Sequence, residues 1–204
     1  MEFLLKRTNI VILAKHHNPS IISKEWLTQK KIVKEEIKEK FVHTPALSLI
    51  ETDNFTFVVD SDRLQITVKK LNPQNIESLP QIAKKYISHL PETPYTAMGF
   101  NFVYHLSVEN AKRELDALFS PDDKKFKKSF SENYQLGTTI RFKLKSFIVK
   151  IYLDSLSENN KIIANFNFHS SFENKSIEEV KDRLAEYSTM KGKAEQIIGE
   201  LFNG

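Results

Sequence analysis

Residues 138–153, TTIRFKLKSFIVKIYL, place apolar and polar side chains in alternation through two runs, Thr138–Lys145 and Phe147–Leu153. A period of two is the signature of a strand with one face buried and one face wet. In the first run Ile140, Phe142 and Leu144 point one way, and Arg141, Lys143 and Lys145 the other. In the second, Phe147, Val149, Ile151 and Leu153 form the inner set, leaving Ile148, Lys150 and Tyr152 outside. A third run, Ile162–His169, turns Ile162, Ala164, Phe166 and Phe168 inward and Asn165, Asn167 and His169 outward. The earlier part of the chain divides the same way: Leu64, Ile66 and Val68 in, Arg63, Gln65, Thr67 and Lys69 out. Antiparallel strands packed on a core by one face read like this, so helices are expected to cover the inner face only.

The order of elements repeats. A strand at Asn9–Lys15 precedes a helix at Pro19–Lys30, then strands at Val42–Ile50, Phe55–Val59 and Leu64–Lys70, then a helix at Pro73–Leu90 that Pro80 kinks or splits. Asp53-Asn54 and Asp60-Ser61-Asp62 are turn residues. After Pro91-Glu92-Thr93-Pro94 the order returns: a strand at Ala97–Leu106, a helix at Val108–Phe119 capped by Ser107, three strands, and a final helix beginning at Ser176. The expected fold is α+β, built of two similar β-α-β-β-β-α halves, 1–93 and 94–204, mainly antiparallel with helices on one face and a pseudo-two-fold between them. The second half carries a Lys-rich helical insert at 120–131, opened by Ser120-Pro121-Asp122-Asp123.

Two runs depart from simple alternation. Asn9–Ala14 and Gly99–Tyr104 are apolar on both faces, as in strands covered on both sides. The final helix opens with a capping box, Ser176 to Glu179, and carries Ile177, Val180, Leu184, Tyr187, Met190, Ala194, Ile197 and Leu201 at three-and-four spacing. That stripe is expected to be core, with the helix either spanning both halves or overhanging toward a partner; Gly192 and Gly199 are the places for a break.

Little in the chain looks like chemistry. Among 204 residues there is no cysteine, which excludes disulfides, thiolate metal sites and cysteine nucleophiles. The five glycines make no phosphate-cradling loop, and no nucleophile elbow is present. Asp60 and Asp62 lack the glycine and glutamate of a calcium loop. His16 and His17 stand at a strand exit before Asn18-Pro19, a helix-opening pair. Neighbours on a strand face opposite ways, so the two cannot easily share a metal, and they read as a joint. No cofactor and no metal are expected. The apolar start is too short and too interrupted by Lys6 and Arg7 for a leader or a span, so a cytoplasmic protein away from membranes is expected.

The half-unit order resembles the TATA-binding-protein-like arrangement, in which two similar halves form one curved sheet with helices on its back. Each half here is read with one strand fewer, and the likeness carries over no residue role and no function. The first functional expectation is a non-catalytic interaction protein, a homodimer or a partner-binding protein, using its sheet face and terminal helix. The alternative is a nucleic-acid-binding module whose outer face offers Arg63, Lys69, Arg141, Lys143, Lys145, Lys150 and Tyr152. A net charge of +4 suits either, and the small share of arginine, five of thirty basic residues, speaks against reading base edges. A third reading is an enzyme with a dispersed site between the halves, near His16, His17 and His105.

Overall fold

The computed structural model describes residues 2–35, 37, 42–119, 124–130, 136–156, 160–172 and 176–202. Its strands are β1 (Glu2–Ala14), β2 (Val42–His43), β3 (Ser48–Glu51), β4 (Phe55–Val59), β5 (Arg63–Val68), β6 (Tyr95–Ser107), β7 (Thr138–Leu144), β8 (Phe147–Leu156) and β9 (Lys161–Ser171). The helices are α1 (Lys24–Gln29), α2 (Pro73–Ser88), α3 (Ala111–Phe119), α4 (Lys124–Phe130), α5 (Ile177–Ala185) and α6 (Tyr187–Phe202). The strands form one nine-stranded sheet in the order β2-β3-β4-β5-β1-β6-β9-β8-β7. Every neighbouring pair is antiparallel. The fold is thus α+β.

The alternation in the sequence sets the two faces. Inward residues such as Ile66, Phe100, Phe102, Val149, Phe166 and Phe168 are buried, while Arg63, Arg141, Lys143, Lys150 and Tyr152 are exposed. Tyr187 of α6 lies on the inner face with its ring against Phe100 and Phe102, at 5.4 and 5.1 Å between centroids. The runs that looked covered on both sides are β1 and β6, which pair with each other at the centre of the sheet from Glu2↔Ser107 to Ala14↔Tyr95. Helices α2, α3, α5 and α6 bury apolar side chains in the core that the inner face forms; on the outer face of β1 and β6, Asn9 and Gly99 are buried and Val11, Leu13, Asn101 and Val103 half-buried.

The hydroxyls of Thr8 and Tyr187 meet at 2.6 Å in the core. Thr8 Oγ1 spends its single proton on the Asn101 carbonyl at 3.0 Å, so the tyrosine donates to the threonine. One contact therefore ties the terminal helix to β1 and, through it, to β6. Tyr187→Phe is expected to cost about 1 kcal/mol, the usual net worth of such a bond, read as a lower denaturant midpoint with unchanged slope.

Several boundaries differ from the sequence reading, each for a local reason. β1 starts at Glu2 because Phe3 and Leu5 continue the inner face opposite Leu106 and Tyr104, and a bulge between Leu5 and Arg7 absorbs Lys6. The expected helix at Pro19–Lys30 is a 3₁₀ turn, Pro19–Ile21, followed by α1. Ser23 is extended between them and accepts from the Trp26 amide at 3.2 Å. Val42–Ile50 is two strands, since Thr44 and Leu47 close a turn around Pro45. The first half so has five strands and the second four, and the β-α-β-β-β-α order describes the second half alone. α2 runs through Pro80 unbroken. α3 is capped by Asn110, which accepts from the Arg113 amide, while Ser107 ends β6. The terminal helix breaks at Glu186, and Gly192 sits inside α6. α5 packs on α2, so the terminal helices reach both halves; of the expected stripe Val180, Leu184, Tyr187, Met190 and Ala194 are buried, Ile177, Ile197 and Leu201 are half-buried against the core, and Ile198, outside the stripe, is buried instead. The insert holds α4; residues 120–123 and 131 lie outside the described residues. Among the described residues no helix is long and apolar enough to cross a membrane.

Candidate functional site

The paired histidines stand between β1 and the 3₁₀ turn Pro19–Ile21. His16 is exposed and His17 is buried. The His17 amide donates to the Ser61 carbonyl at 2.8 Å, which docks the exit of β1 on the turn after β4. Its Nε2 lies 3.2 Å from the Ile12 carbonyl, so that nitrogen carries the proton, and the buried Nδ1 has no hydrogen-bond partner among the described residues. Burial holds the His17 pKa below its ordinary 6.5, against the opposing pull of Ile12, Asp60 and Asp62. A group with a lowered folded pKa binds more protons when unfolded. Its contribution to stability is therefore intact above about pH 6.5 and is lost as pH falls below that value toward the folded pKa. The expected result is a melting temperature that declines with acidification over that window, and declines less in His17→Gln. His105 lies opposite Leu4, nine residues along β1 from the Leu13 end, so the sheet sets it far from His17. Among the described residues no cluster of histidine and carboxylate side chains could hold a metal ion.

The chemistry-bearing residues lie instead on the outer face, where register brings them together. β7 and β8 are joined by the two-residue turn Lys145-Ser146, with Lys145 at φ 52°. That turn fixes the pairing Leu144↔Phe147 and hence Arg141↔Lys150. In a two-residue hairpin the closing pair exchanges hydrogen bonds, and bonded and non-bonded pairs then alternate. Arg141↔Lys150 is a non-bonded pair, the kind whose Cα atoms stand only about 4.5 Å apart and whose side chains are closest. Two cations thus face each other across the ladder, with Lys143 two residues along the same face. Among the described residues none of the three has a carboxylate partner.

The same row continues inward across the sheet. Lys150 pairs with Asn167, Asn167 with Asn101, and Asn101 with Asn9. Asn167 Nδ2 donates to Asn101 Oδ1 at 2.7 Å, and Asn101 Nδ2 donates to Asn9 Oδ1 at 2.7 Å. The amides form a chain on three adjacent strands. Gly99 leaves it room, since a Cβ there would stand 3.3 Å from Asn167 Nδ2 and press on that amide. Next to the row lies apolar surface: Ile148 is 50% exposed, and Val11, Leu13 and Val103 are half-buried.

Of the residues singled out from sequence, Arg141, Lys143, Lys150 and Tyr152 share the outer face of β7 and β8. Lys145 sits in their turn. Tyr152 hands its hydroxyl proton to Asp154, a bond that raises the phenol's pKa. Arg63 and Lys69 lie four strands away, at either end of β5. Each is already matched: Arg63 Nε to Asp60 at 2.9 Å, and Lys69 Nζ to Glu51 at 2.6 Å. Of these singled-out cations on strands, the ones that lack counter-charge among the described residues are therefore those of β7 and β8, at one edge of the sheet. Sequence reasoning missed Asn9 and Asn101, which enter through the β1–β6 pairing between halves, a register no local pattern encodes. The Arg141–Lys150 opposition did have a signal, because counting outward from Lys145-Ser146 gives it.

No protein-family model matches the chain, and no curated protein sequence is similar to it.

Proposed function

We propose that the protein is a binding protein that docks an anionic partner on its outer sheet face at β7 and β8. The observation that carries this is the Arg141–Lys150 pair, opposed in register with Lys143 beside it and, among the described residues, no carboxylate to relieve it. Like charges directly across a ladder cost the sheet roughly 0.2–1 kcal/mol relative to a neutral pair. An anion seated between them turns that cost into attraction. Contact with a second copy through this face would set the same cations against one another, so charge favours an acidic partner over self-association.

A second reading, nucleic acid, is favoured by the amide row. Asn167 and Asn101, both half-buried, run on from the two cations toward the buried Asn9 and hold amide groups in line, a row that groove contacts can use. Against it, Arg63 and Lys69 are neutralised at home, and Tyr152 is the one large exposed aromatic on this face among the described residues, too little for a stacking platform.

The strand order also supports reading 1–93 and 94–204 as two copies of one unit about a pseudo-two-fold. Outward from the β1–β6 pair, each side presents its first strand, then its last, then the middle ones.

The test is fluorescence anisotropy with two labelled probes, a short duplex DNA and polyglutamate, across a salt series. The expected result is binding of at least one probe that weakens steeply with salt. Salt-independent binding, or none of either, contradicts the reading.

A further inference from the structure

Arg141, Lys143 and Lys150, which have no carboxylate partner among the described residues, lie on and beside an open edge. β7 is the last strand of the sheet, and among the described residues no backbone group bonds to its outer side. The opposite edge, β2, is only two residues long, whereas β7 is seven. The hairpin register says which groups face outward. Thr138, Ile140, Phe142 and Leu144 spend their N–H and C=O on β8, so those of Thr139, Arg141 and Lys143 point away from the sheet. Those same three residues carry exposed side chains on the outer face. On the inner face Ile140, Phe142 and Leu144 are only half-buried, packed on the core but not closed over. A strand laid antiparallel along this edge would meet three outward donors and three outward acceptors, cations on one face and uncovered apolar side chains on the other.

Resting on the anion-docking reading above, we infer that the partner is an extended acidic peptide segment that adds to β7 as a further strand. Its side chains alternate, carboxylates on the outer face toward Arg141 and Lys143, and apolar residues on the inner face beside Ile140, Phe142 and Leu144. The main-chain bonds supply affinity, and the alternate side chains supply selectivity. A second β7 does not fit, because antiparallel self-pairing brings Arg141 and Lys143 against their own kind. Basic residues on an edge also guard against unwanted strand pairing; here they refuse a basic or neutral strand and admit an acidic one.

The experiment uses the full chain and an alternating Glu-Val octapeptide, with a Lys-Val peptide and a short duplex DNA alongside. Glu-Val is expected to bind and Lys-Val not. Hydrogen exchange at the amides of Thr139, Arg141 and Lys143 should slow on binding, while those of Ile140 and Phe142, already bonded to β8, change little. Thr139→Pro removes one outward N–H while keeping every charge and every bond to β8. It is expected to weaken the peptide about tenfold, the worth of one hydrogen bond, and to leave any DNA binding as it was. If that variant fails to fold, exchange in the unaltered chain decides. Peptide binding with no slowing at those three amides overturns strand addition. DNA binding with no peptide binding overturns this inference and leaves anion docking standing; no binding of either removes both.

Discussion

The triple variant R141Q/K143Q/K150Q is expected to melt higher than the unaltered protein while losing most of its affinity for anionic partners. The two changes have opposite signs because the cations oppose each other in the free protein and are needed only when an anion arrives. Relief of Arg141 against Lys150 contributes roughly 0.2–1 kcal/mol to the sheet. Exposed ion contacts are worth about 0.2–1 kcal/mol each, so three of them give roughly a threefold to hundredfold loss of affinity. For a polyanion the slope of log affinity against log salt should also flatten by about one for each cation removed. A purely structural role makes a different prediction. If these residues serve only solubility or edge protection, binding of polyglutamate and DNA stays unchanged while stability still moves. Thermal melts and anisotropy on one preparation separate the cases.

The second large effect is in the core. Phe100→Ala is expected to destabilise the fold by about 3–5 kcal/mol, the range for removing a buried phenylalanine. Phe100 is fully buried on β6, its ring 5.6 Å from Phe147 and 5.4 Å from Tyr187. It thus stands where β6, β8 and α6 converge. A domain of this kind holds about 5–15 kcal/mol in all, so the loss is a large share of the total. Ile148→Thr, on the exposed outer face, should cost no more than about 0.5 kcal/mol. Equal losses at the two positions, read from denaturant midpoints, would mean that the outer face is covered and that the division into dry and wet faces is wrong.

That division was legible from the chain alone, because a one-residue slip would flip every side chain of Thr138–Leu153 to the wrong face. Strand identities in the second half followed for the same reason. The start of β1 moved because the bulge at Lys6 hides the period, and the boundaries of α1, α3 and β2–β3 moved because polar groups and a proline set them. Ser23 and Asn110 win caps by reaching backbone amides three residues on, and Pro45 turns the chain within a run that reads as one strand. The candidate site was half visible. Arg141, Lys143 and Lys150 were found by alternation, but their significance comes from what opposes them. Arg63 and Lys69 looked equivalent until Asp60 and Glu51 were seen to meet them. The amide row was invisible, since Asn9, Asn101 and Asn167 are brought into line by strand pairing across some ninety and sixty-six positions of chain.

The most direct test of the central claim is a nitrogen–proton correlation spectrum recorded during titration with the Glu-Val peptide and, separately, with duplex DNA. Docking at β7 and β8 predicts that whichever ligand binds shifts the backbone signals of Thr139–Leu144 and Ile148–Tyr152, with the side-chain amide of Asn167 moving beside them and the signals of α2, α5 and α6 still. Shifts confined to the helices, or a spectrum that neither ligand changes, would contradict it.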